Sequence, residues 1–279
     1  MSDLHCESSA PVIGSDECRP LTRDQRVDAV AGSTRGAVRV RWRRPGRGFR
    51  RQIVHVVRNL SDMDSQSGRL SGRYPVVLLP GFCAPRRSLV ALERRIVRKL
   101  GRTALRFRLA NGPLLPVVDV RRSAERAELL LDCLDQEFGI DSVDVVGHSL
   151  GGLVAAYWLK QIDRGRRIRR VVTLGTPHRG TRFAWHGALL LGWVSRAPWQ
   201  MIPGSSLLRE LEMGPVPCGS ELIAIASRHD SIVPRESARG MDAPRQRSIE
   251  ISRAGHLDYL WSSDAFLSIA AALASPLPE

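Results

Sequence analysis

The chain has 279 residues, 43% of them hydrophobic and 25% charged, which is typical of a globular protein with a full core. Its formal net charge at pH 7 is +14, and arginine carries almost all of it because Lys99 and Lys160 are the only lysines. The five cysteines are widely spaced without a CxxC pair, so the sequence predicts neither a disulfide framework nor a zinc site.

Residues 1–36 are rich in Ser, Gly, Asp, Glu and Arg and lack a periodic apolar pattern, so they are predicted to form a flexible leader. They carry neither the basic nor the apolar region of a secretory signal. The longest apolar stretch, around residues 184–194, contains His186 and is too short to span a bilayer. These features predict a cytoplasmic protein, with peripheral membrane contact as an open alternative.

Residues 37–73 are predicted to be a basic N-terminal extension and a linker. The run RVRWRRPGRGFRR begins at Arg39 and ends at Arg51 without an acidic residue, so it could contact an anionic membrane surface or nucleic acid. Arginine is dense elsewhere too, which favours a solvated basic segment and disfavours nucleic acid as a partner. Two short segments, 37–42 and 52–57, are candidate strands, and the second could instead begin a helix.

Residues 74–279 alternate between short apolar runs and longer runs with helical spacing. The predicted strands are PVVLLP, TALRFRL, SVDVV, RRVVTLG, ELIAIAS and RSIEIS, and the predicted helices are RRSLVALERRIVRKLG, RRSAERAELLLDCLDQEFG, LGGLVAAYWLKQI and DYLWSSDAFLSIAAALA. Gly101 and Gly139 are predicted helix stops and Ser123 a possible cap. The alternation predicts an α/β fold, a mostly parallel sheet with helices on both faces. Residues 180–218 form a helical, aromatic-rich insertion.

The pentapeptide GHSLG, with Ser149 at its centre, fits the pattern G-x-S-x-G. It follows an apolar strand and precedes a helix, as a nucleophile elbow requires. The glycines avoid the clash that a Cβ would cause in such a tight turn. The serine is expected at a helix N-terminus, where backbone amide N–H groups face a developing negative charge. Ser149 is therefore predicted to be a nucleophile.

A serine nucleophile needs a base, which in turn needs an orienting acid, and in this type of fold the order along the chain is Ser, acid, His. His256 follows the last predicted strand and is the predicted base. Asp230 follows the strand ELIAIAS and is the predicted acid, whereas Glu236 and Asp242 lie further from the strand end. His229, next to Asp230, is predicted to face solvent.

A developing oxyanion requires two backbone N–H donors. The residue after the nucleophile, Leu150, is predicted to supply one of them. The loop after the strand PVVLLP is predicted to supply the other from Phe82, with Gly81 permitting close backbone approach. Cys83 is interpreted as a small loop residue.

Together these segments resemble the α/β-hydrolase superfamily, and specifically small bacterial-type lipases and esterases. The resemblance extends from about residue 74 to 273 and depends on PVVLLPGF, GHSLGG, TLGTPHRGT, MIPGSSLLRELE, SRHDSIVP and AGHLDYL. It implies a triad of Ser149, Asp230 and His256, with an oxyanion hole from Phe82 and Leu150. The family often has His-Gly in the oxyanion loop, and Pro80 replaces that histidine here. No metal or organic cofactor is implied.

The function expected on these grounds is carboxylic-ester hydrolysis through an acyl-serine. An acyltransferase, phospholipase or thioesterase acting on membrane lipid with the same triad is an alternative, and a non-catalytic basic binding protein on a hydrolase scaffold is a third. The apolar surplus of the insertion predicts a lid or pocket roof, against the alternative of ordinary core packing. Its candidate residues are Phe183, Trp185, Leu189, Trp193, Trp199 and Met201.

Overall fold

The computed structural model describes residues 74–84, 86–109, 118–240 and 243–278. The predicted leader (1–36), the basic extension and linker (37–73) and the candidate strands at 37–42 and 52–57 lie outside the described residues. Within the described ranges, every helix is too short or too polar to cross a lipid bilayer.

The described residues contain one sheet of six strands, in the order β2-β1-β3-β4-β5-β6. All neighbouring strands pair in parallel. The strands β1, β3 and β5 are buried on both faces, as expected for a parallel sheet covered on both sides, whereas β6 is partly exposed. The strands are β1 (Val76–Leu79), β2 (Ala104–Arg106), β3 (Val143–His148), β4 (Ile168–Leu174), β5 (Glu221–Ser227) and β6 (Gln246–Ile251).

Eight α-helices accompany these strands in the described part of the chain, and three of them form the insertion between β4 and β5. Their bounds are α1 (Val90–Arg95), α2 (Val120–Phe138), α3 (Leu150–Tyr157), α4 (Phe183–Leu191), α5 (Ala197–Gln200), α6 (Ser206–Met213), α7 (Arg235–Ala238) and α8 (Ser263–Ala274). Helices α1 and α3 continue as π-helical turns, Ile96–Leu100 and Trp158–Asp163.

Alternate side chains of the strands enter two hydrophobic cores, one on each face of the sheet. In β1, Val77 and Leu79 join the core under α2 and α3, whereas Val76 and Leu78 join the core under α1 and α8. The prediction of an α/β fold with a parallel sheet and helices on both faces is confirmed. Helix α2 contributes its buried stripe at helical spacing, consisting of Ala124, Ala127, Leu130, Leu131 and Leu134.

Two helix boundaries differ from the sequence-based prediction. Helix α2 begins at Val120, and its cap is Asp119, whose side chain accepts a hydrogen bond from the Arg122 amide, so the prediction of Ser123 as a cap is wrong. The last predicted helix is interrupted. A 3-10 turn, Asp258–Leu260, comes first, and α8 then begins after Ser262, whose hydroxyl accepts from the Ala265 amide. The predicted stops at Gly101 and Gly139 are confirmed by left-handed backbone there.

A chain of ion pairs, buried except at Arg247, crosses the amino-terminal ends of the strands, and we call it the strand-base network. Arg102 contacts Asp144 at 2.6 Å, Arg170 contacts Glu221 at 3.3 Å, and Arg247 contacts Glu221 at 2.6 Å. The side chain of Arg170 is 1% exposed. It also donates to the carbonyls of Leu273 and Ser275, and thereby ties the C-terminal end of α8 to the sheet.

Candidate active site

Ser149 occupies a sharp turn between β3 and α3, at the carboxyl edge of the sheet. Its backbone has φ 52° and ψ −120°, a left-handed conformation that is costly for a residue with a Cβ. The Ser149 amide donates to the carbonyl of Leu174 at the end of β4, and its carbonyl accepts from the Thr176 hydroxyl. The turn is therefore held at both sides by the neighbouring strand and the loop after it.

The glycines around Ser149 are required because other backbone segments pass where a Cβ would lie. A Cβ on Gly147 would come within 2.5 Å of the Gly151 carbonyl oxygen. One on Gly151 would come within 2.4 Å of the Leu79 oxygen at the end of β1. These distances are shorter than any tolerated contact, so the elbow can form only with glycine at these positions.

We expect Gly151→Ala to lower the free energy of unfolding by about 2 kcal/mol or more, because the new methyl group meets backbone, which cannot rotate away. Chemical denaturation of the purified variant measures this change. Gly187→Ala, inside α4, is the matched control, since its Cβ would lie 3.4 Å from Pro198. We expect the control to be neutral or to add about 0.5 kcal/mol, and equal destabilisation of both variants would contradict the interpretation.

The structure brings Ser149, His256 and Asp230 together in one hydrogen-bonded chain. His256 Nε2 lies 3.0 Å from Ser149 Oγ, and His256 Nδ1 lies 2.8 Å from Asp230 Oδ2. A carboxylate can only accept a hydrogen bond, so the ring proton belongs on Nδ1 and the lone pair of Nε2 faces the serine hydroxyl. Chemically, this arrangement can remove the proton of the Ser149 hydroxyl and stabilise the resulting imidazolium.

The acid and the base of this hydrogen-bonded chain are each held by contacts within their own loop. Asp230 follows β5, and its other oxygen, Oδ1, accepts from the amides of Ile232 and Val233 at 2.9 Å each. The Asp258 side chain accepts from the Gly255 amide beside His256. Asp230 itself is only 7% exposed. The backbone amides thus orient the Asp230 carboxylate independently of its contact with the His256 ring.

Neither Glu236 nor His229 joins this hydrogen-bonded chain. Glu236 is exposed and contacts Arg235, and Asp242 lies outside the described residues. His229 is exposed, as predicted from its position next to Asp230.

Three supporting residues were missed by the sequence interpretation. Ser227, the last residue of β5, accepts hydrogen bonds on its hydroxyl from the amides of His229 and Ala254, so it links the acid and base loops. Thr176 fills the space beside Gly152, where a Cβ would lie 1.9 Å from its hydroxyl oxygen. Tyr259 is 1% exposed and packs beside Gly175. All three lie in segments that carry the family resemblance, SRHDSIVP, TLGTPHRGT and AGHLDYL, but their roles depend on contacts that only the fold creates.

The loop after β1 passes next to Ser149. A Cβ on Gly81 would lie 3.3 Å from the Ser149 Cβ, which is the close backbone approach expected of Gly81. Phe82 follows it and packs against the core under α2 and α3. Leu150 is the first residue of α3, so its amide has no acceptor within the helix. The neighbouring Cys83 is exposed, and partial burial of its thiol raises the pKa of that group.

The insertion exposes most of the apolar side chains that were predicted for a lid or pocket roof. Exposure ranges from 50% at Trp199 to 83% at Leu189, whereas Met201 is 7% exposed and belongs to the core. The side chain of Thr181, just before α4, donates to the carbonyl of Ile232 in the loop that carries Asp230. The insertion therefore begins beside the hydrogen-bonded chain. The exposed set comprises Phe183, Trp185, Leu189, Leu190, Trp193 and Trp199.

Comparison with known proteins agrees with this architecture. The model of the PGAP1-like alpha/beta domain family matches residues 118–190, which include α2, the elbow and β4. Among solved structures, the chain is similar to the mature form of the Bacillus licheniformis lipase BlEst2, with a TM-score of 0.56, 16% identity and coverage of 71% of this chain and 90% of that one.

Two further solved structures are similar over a nearly equal share of the chain. One is an alpha/beta hydrolase fold protein from Burkholderia ambifaria, with a TM-score of 0.52, 17% identity and coverage of 73% of this chain and 90% of that one. The other is a monoacylglycerol lipase from Paleococcus ferrophilus, with a TM-score of 0.52, 18% identity and coverage of 72% and 95%. The resemblance stated from the sequence is confirmed at the level of the fold: this chain has the α/β-hydrolase fold.

Proposed function

We propose that the protein is a serine hydrolase that cleaves carboxylic esters through an acyl-serine intermediate. The observation that carries the proposal is the continuous hydrogen-bonded chain from Ser149 Oγ through His256 to Asp230 Oδ2, with the serine on a strained elbow. Side chains from three separate loops converge there within hydrogen-bonding distance. Such an arrangement matches the requirements of a nucleophile, a general base and an orienting acid.

The reaction proceeds in two acyl-transfer steps. His256 Nε2 takes the proton of the Ser149 hydroxyl as Oγ forms a bond to the ester carbonyl carbon, and Asp230 stabilises the imidazolium. The bond to the alcohol oxygen then breaks, and the departing alcohol takes the proton from His256. Water attacks the acyl-serine with the same base, which releases the acid and restores the serine hydroxyl. The amides of Phe82 and Leu150 bind the oxyanion in both steps.

The test uses the purified full chain with p-nitrophenyl esters of increasing acyl length and with a fluorophosphonate probe. We expect ester hydrolysis and a covalent adduct, located by mass spectrometry on the peptide that contains Ser149. Absence of both hydrolysis and labelling would overturn the proposal. Labelling at a different serine would retain the enzyme class but reject the assigned nucleophile.

A second candidate keeps this chemistry and assigns it to lipid esters, with water or an alcohol as acyl acceptor, so that phospholipase, thioesterase and acyltransferase activities belong to it. The exposed apolar side chains of α4 and of the segment up to Trp199 favour this candidate, because so many large exposed apolar side chains within one short segment are unusual on a protein that meets only water. In this proposal the insertion is a lid or pocket roof. Two of the structural neighbours are named lipases, one of them a monoacylglycerol lipase.

We expect the double variant Leu189→Ser/Trp193→Ser to hydrolyse emulsified long-chain esters about tenfold more slowly, while its rate on a short soluble ester stays unchanged. The reason is the loss of apolar area available to the lipid phase, where one large side chain is worth about 1.5–3 kcal/mol when fully buried. The matched control is Leu267→Ser on α8, a leucine that is 66% exposed elsewhere on the molecule. Equal effects of the two changes, or equal loss on soluble and emulsified esters, would contradict the lid assignment.

A further inference from the structure

The imidazole of His148, the last residue of β3, makes a contact that the proposed reaction does not use. Its Nε2 lies 2.7 Å from the main-chain carbonyl oxygen of His256. A carbonyl oxygen can only accept, so Nε2 carries the proton and donates it. The side chain is 2% exposed, so this hydrogen bond forms away from solvent, where losing it leaves a polar group unsatisfied.

This bond creates a second, independent link between the serine and the histidine. The first link is the hydrogen bond between the Ser149 hydroxyl and the His256 ring. The second runs through the peptide bond from Ser149 to His148 and then from the His148 side chain to the His256 backbone. Because the second link holds the main chain of His256, it places that residue even while its ring is exchanging a proton with Ser149.

The surroundings of His148 keep its ring uncharged. Burial, followed by the charge of His256, lowers the pKa of His148 to about 4. Its Nδ1 is buried and, among the described residues, has no hydrogen-bond partner. A Cβ on Gly81 would lie only 2.9 Å from this Nδ1.

The neutral state matters because the two imidazole rings are close, with centroids 4.9 Å apart. A second cation at that distance would oppose formation of the His256 imidazolium. A neutral donor holds the base without this electrostatic cost.

We propose that His148 is a positioning residue: its neutral Nε2–H holds the backbone of His256 so that the His256 ring stays aligned between Ser149 and Asp230. The inference rests on the proposed function, since it concerns how the base of that reaction is aligned. It adds a role for the residue immediately before the serine, which needs a side-chain hydrogen-bond donor rather than only a bulky side chain.

The kinetic test compares His148→Leu with His148→Gln in the full chain. Leucine removes the donor, whereas the terminal amide of glutamine can present an N–H at a similar reach. We expect His148→Leu to lower kcat on a p-nitrophenyl ester, and the rate of fluorophosphonate labelling, by about tenfold to a hundredfold, with KM within about twofold of the parent value. We expect His148→Gln to recover most of this loss.

A matched control removes another desolvated imidazole. His178 lies on the loop after β4, and its Nε2 lies 2.9 Å from the hydroxyl of Thr173 in that strand. The variant His178→Leu eliminates this ring. We expect this variant to lose thermal stability but to keep the kcat of the parent. Two outcomes would overturn the inference in favour of general destabilisation. One is an equal loss of kcat in His148→Leu and His178→Leu, and the other is a loss in His148→Leu that His148→Gln does not relieve.

A second measurement reads the ring directly and does not depend on activity. In the Ser149→Ala protein, nitrogen–proton correlation spectra of the histidine side chains report the tautomer and charge of each ring. We expect His148 to be neutral with its proton on Nε2 from pH 5 to pH 8. A ring that titrates near pH 6.5, or that carries its proton on Nδ1, would overturn the inference. Absence of labelling and hydrolysis in the parent protein would instead reject the proposed function, and the positioning role with it.

Discussion

Replacement of Ser149 by alanine is expected to lower the kcat for p-nitrophenyl ester hydrolysis by about ten-thousandfold or more and to abolish fluorophosphonate labelling. The expectation follows from the geometry, because the Ser149 hydroxyl is the atom that faces the lone pair of His256 Nε2 at 3.0 Å. Without it, the base has no nucleophile to activate. The melting temperature should change little, since alanine removes one oxygen and introduces no new contact.

The matched control is Ser268→Ala on the partly exposed side of α8. It makes the same chemical change far along the chain from the elbow, and we expect parental activity and labelling. Retention of more than about one per cent of the parental kcat in Ser149→Ala would contradict the assigned nucleophile, because removing the nucleophile of such a site typically costs far more. Circular dichroism of both variants excludes misfolding as the cause.

The second large effect concerns stability and the strand-base network. We expect Arg170→Met to lower the free energy of unfolding by about 3–5 kcal/mol and Tm by about 10 °C. Methionine fits a similar space but leaves Glu221 with one fewer buried cation and removes the hydrogen bonds that Arg170 donates to the carbonyls of Leu273 and Ser275. Arg247 still contacts Glu221 but is partly exposed, so it compensates the buried carboxylate less well than Arg170 does. Buried acceptors that lose a charged donor add to the cost.

Arg228→Met provides the comparison for this prediction. Arg228 also contacts a glutamate, Glu250, but its side chain is 66% exposed, so the pair is screened by water. We expect a change of at most about 1 kcal/mol. Comparable losses in the two variants would show that burial of the strand-base network does not determine its contribution. Thermal and urea unfolding at constant pH provide both measurements.

The elements that the sequence predicts best are those whose apolar pattern is strong and local. The run VVLL has only apolar residues and forms β1, and the elbow at Ser149 is recognisable because its motif, its preceding strand and its following helix all lie within one short segment. The order of Ser149, Asp230 and His256 along the chain then limits the candidates for the site. Local signals of this kind do not depend on how distant segments pack.

The features that the sequence does not predict depend on contacts between distant segments. Arg170 belongs to a chain that uses arginine everywhere, and only the fold distinguishes its 1% exposure from the high exposure of Arg228. The donor role of His148 requires a carbonyl 108 positions later. The cap of α2 is an exception, because it is a local feature: Ser123 and Asp119 both have the chemistry of a cap, and the observed helix start at Val120 selects Asp119.

The topology also determines when during refolding the site can form. The two ends of the bond between Ser149 and His256 are 107 positions apart, and the loop that carries His256 follows β6, the edge strand of the six-stranded sheet. Such long sequence separations slow folding, because the chain loses the entropy of loop closure before the stabilising contacts between the distant segments form. During refolding, the helical circular dichroism signal should therefore return before Ser149 becomes reactive towards the fluorophosphonate probe. The delay between the two signals reports the time at which β6 joins the sheet.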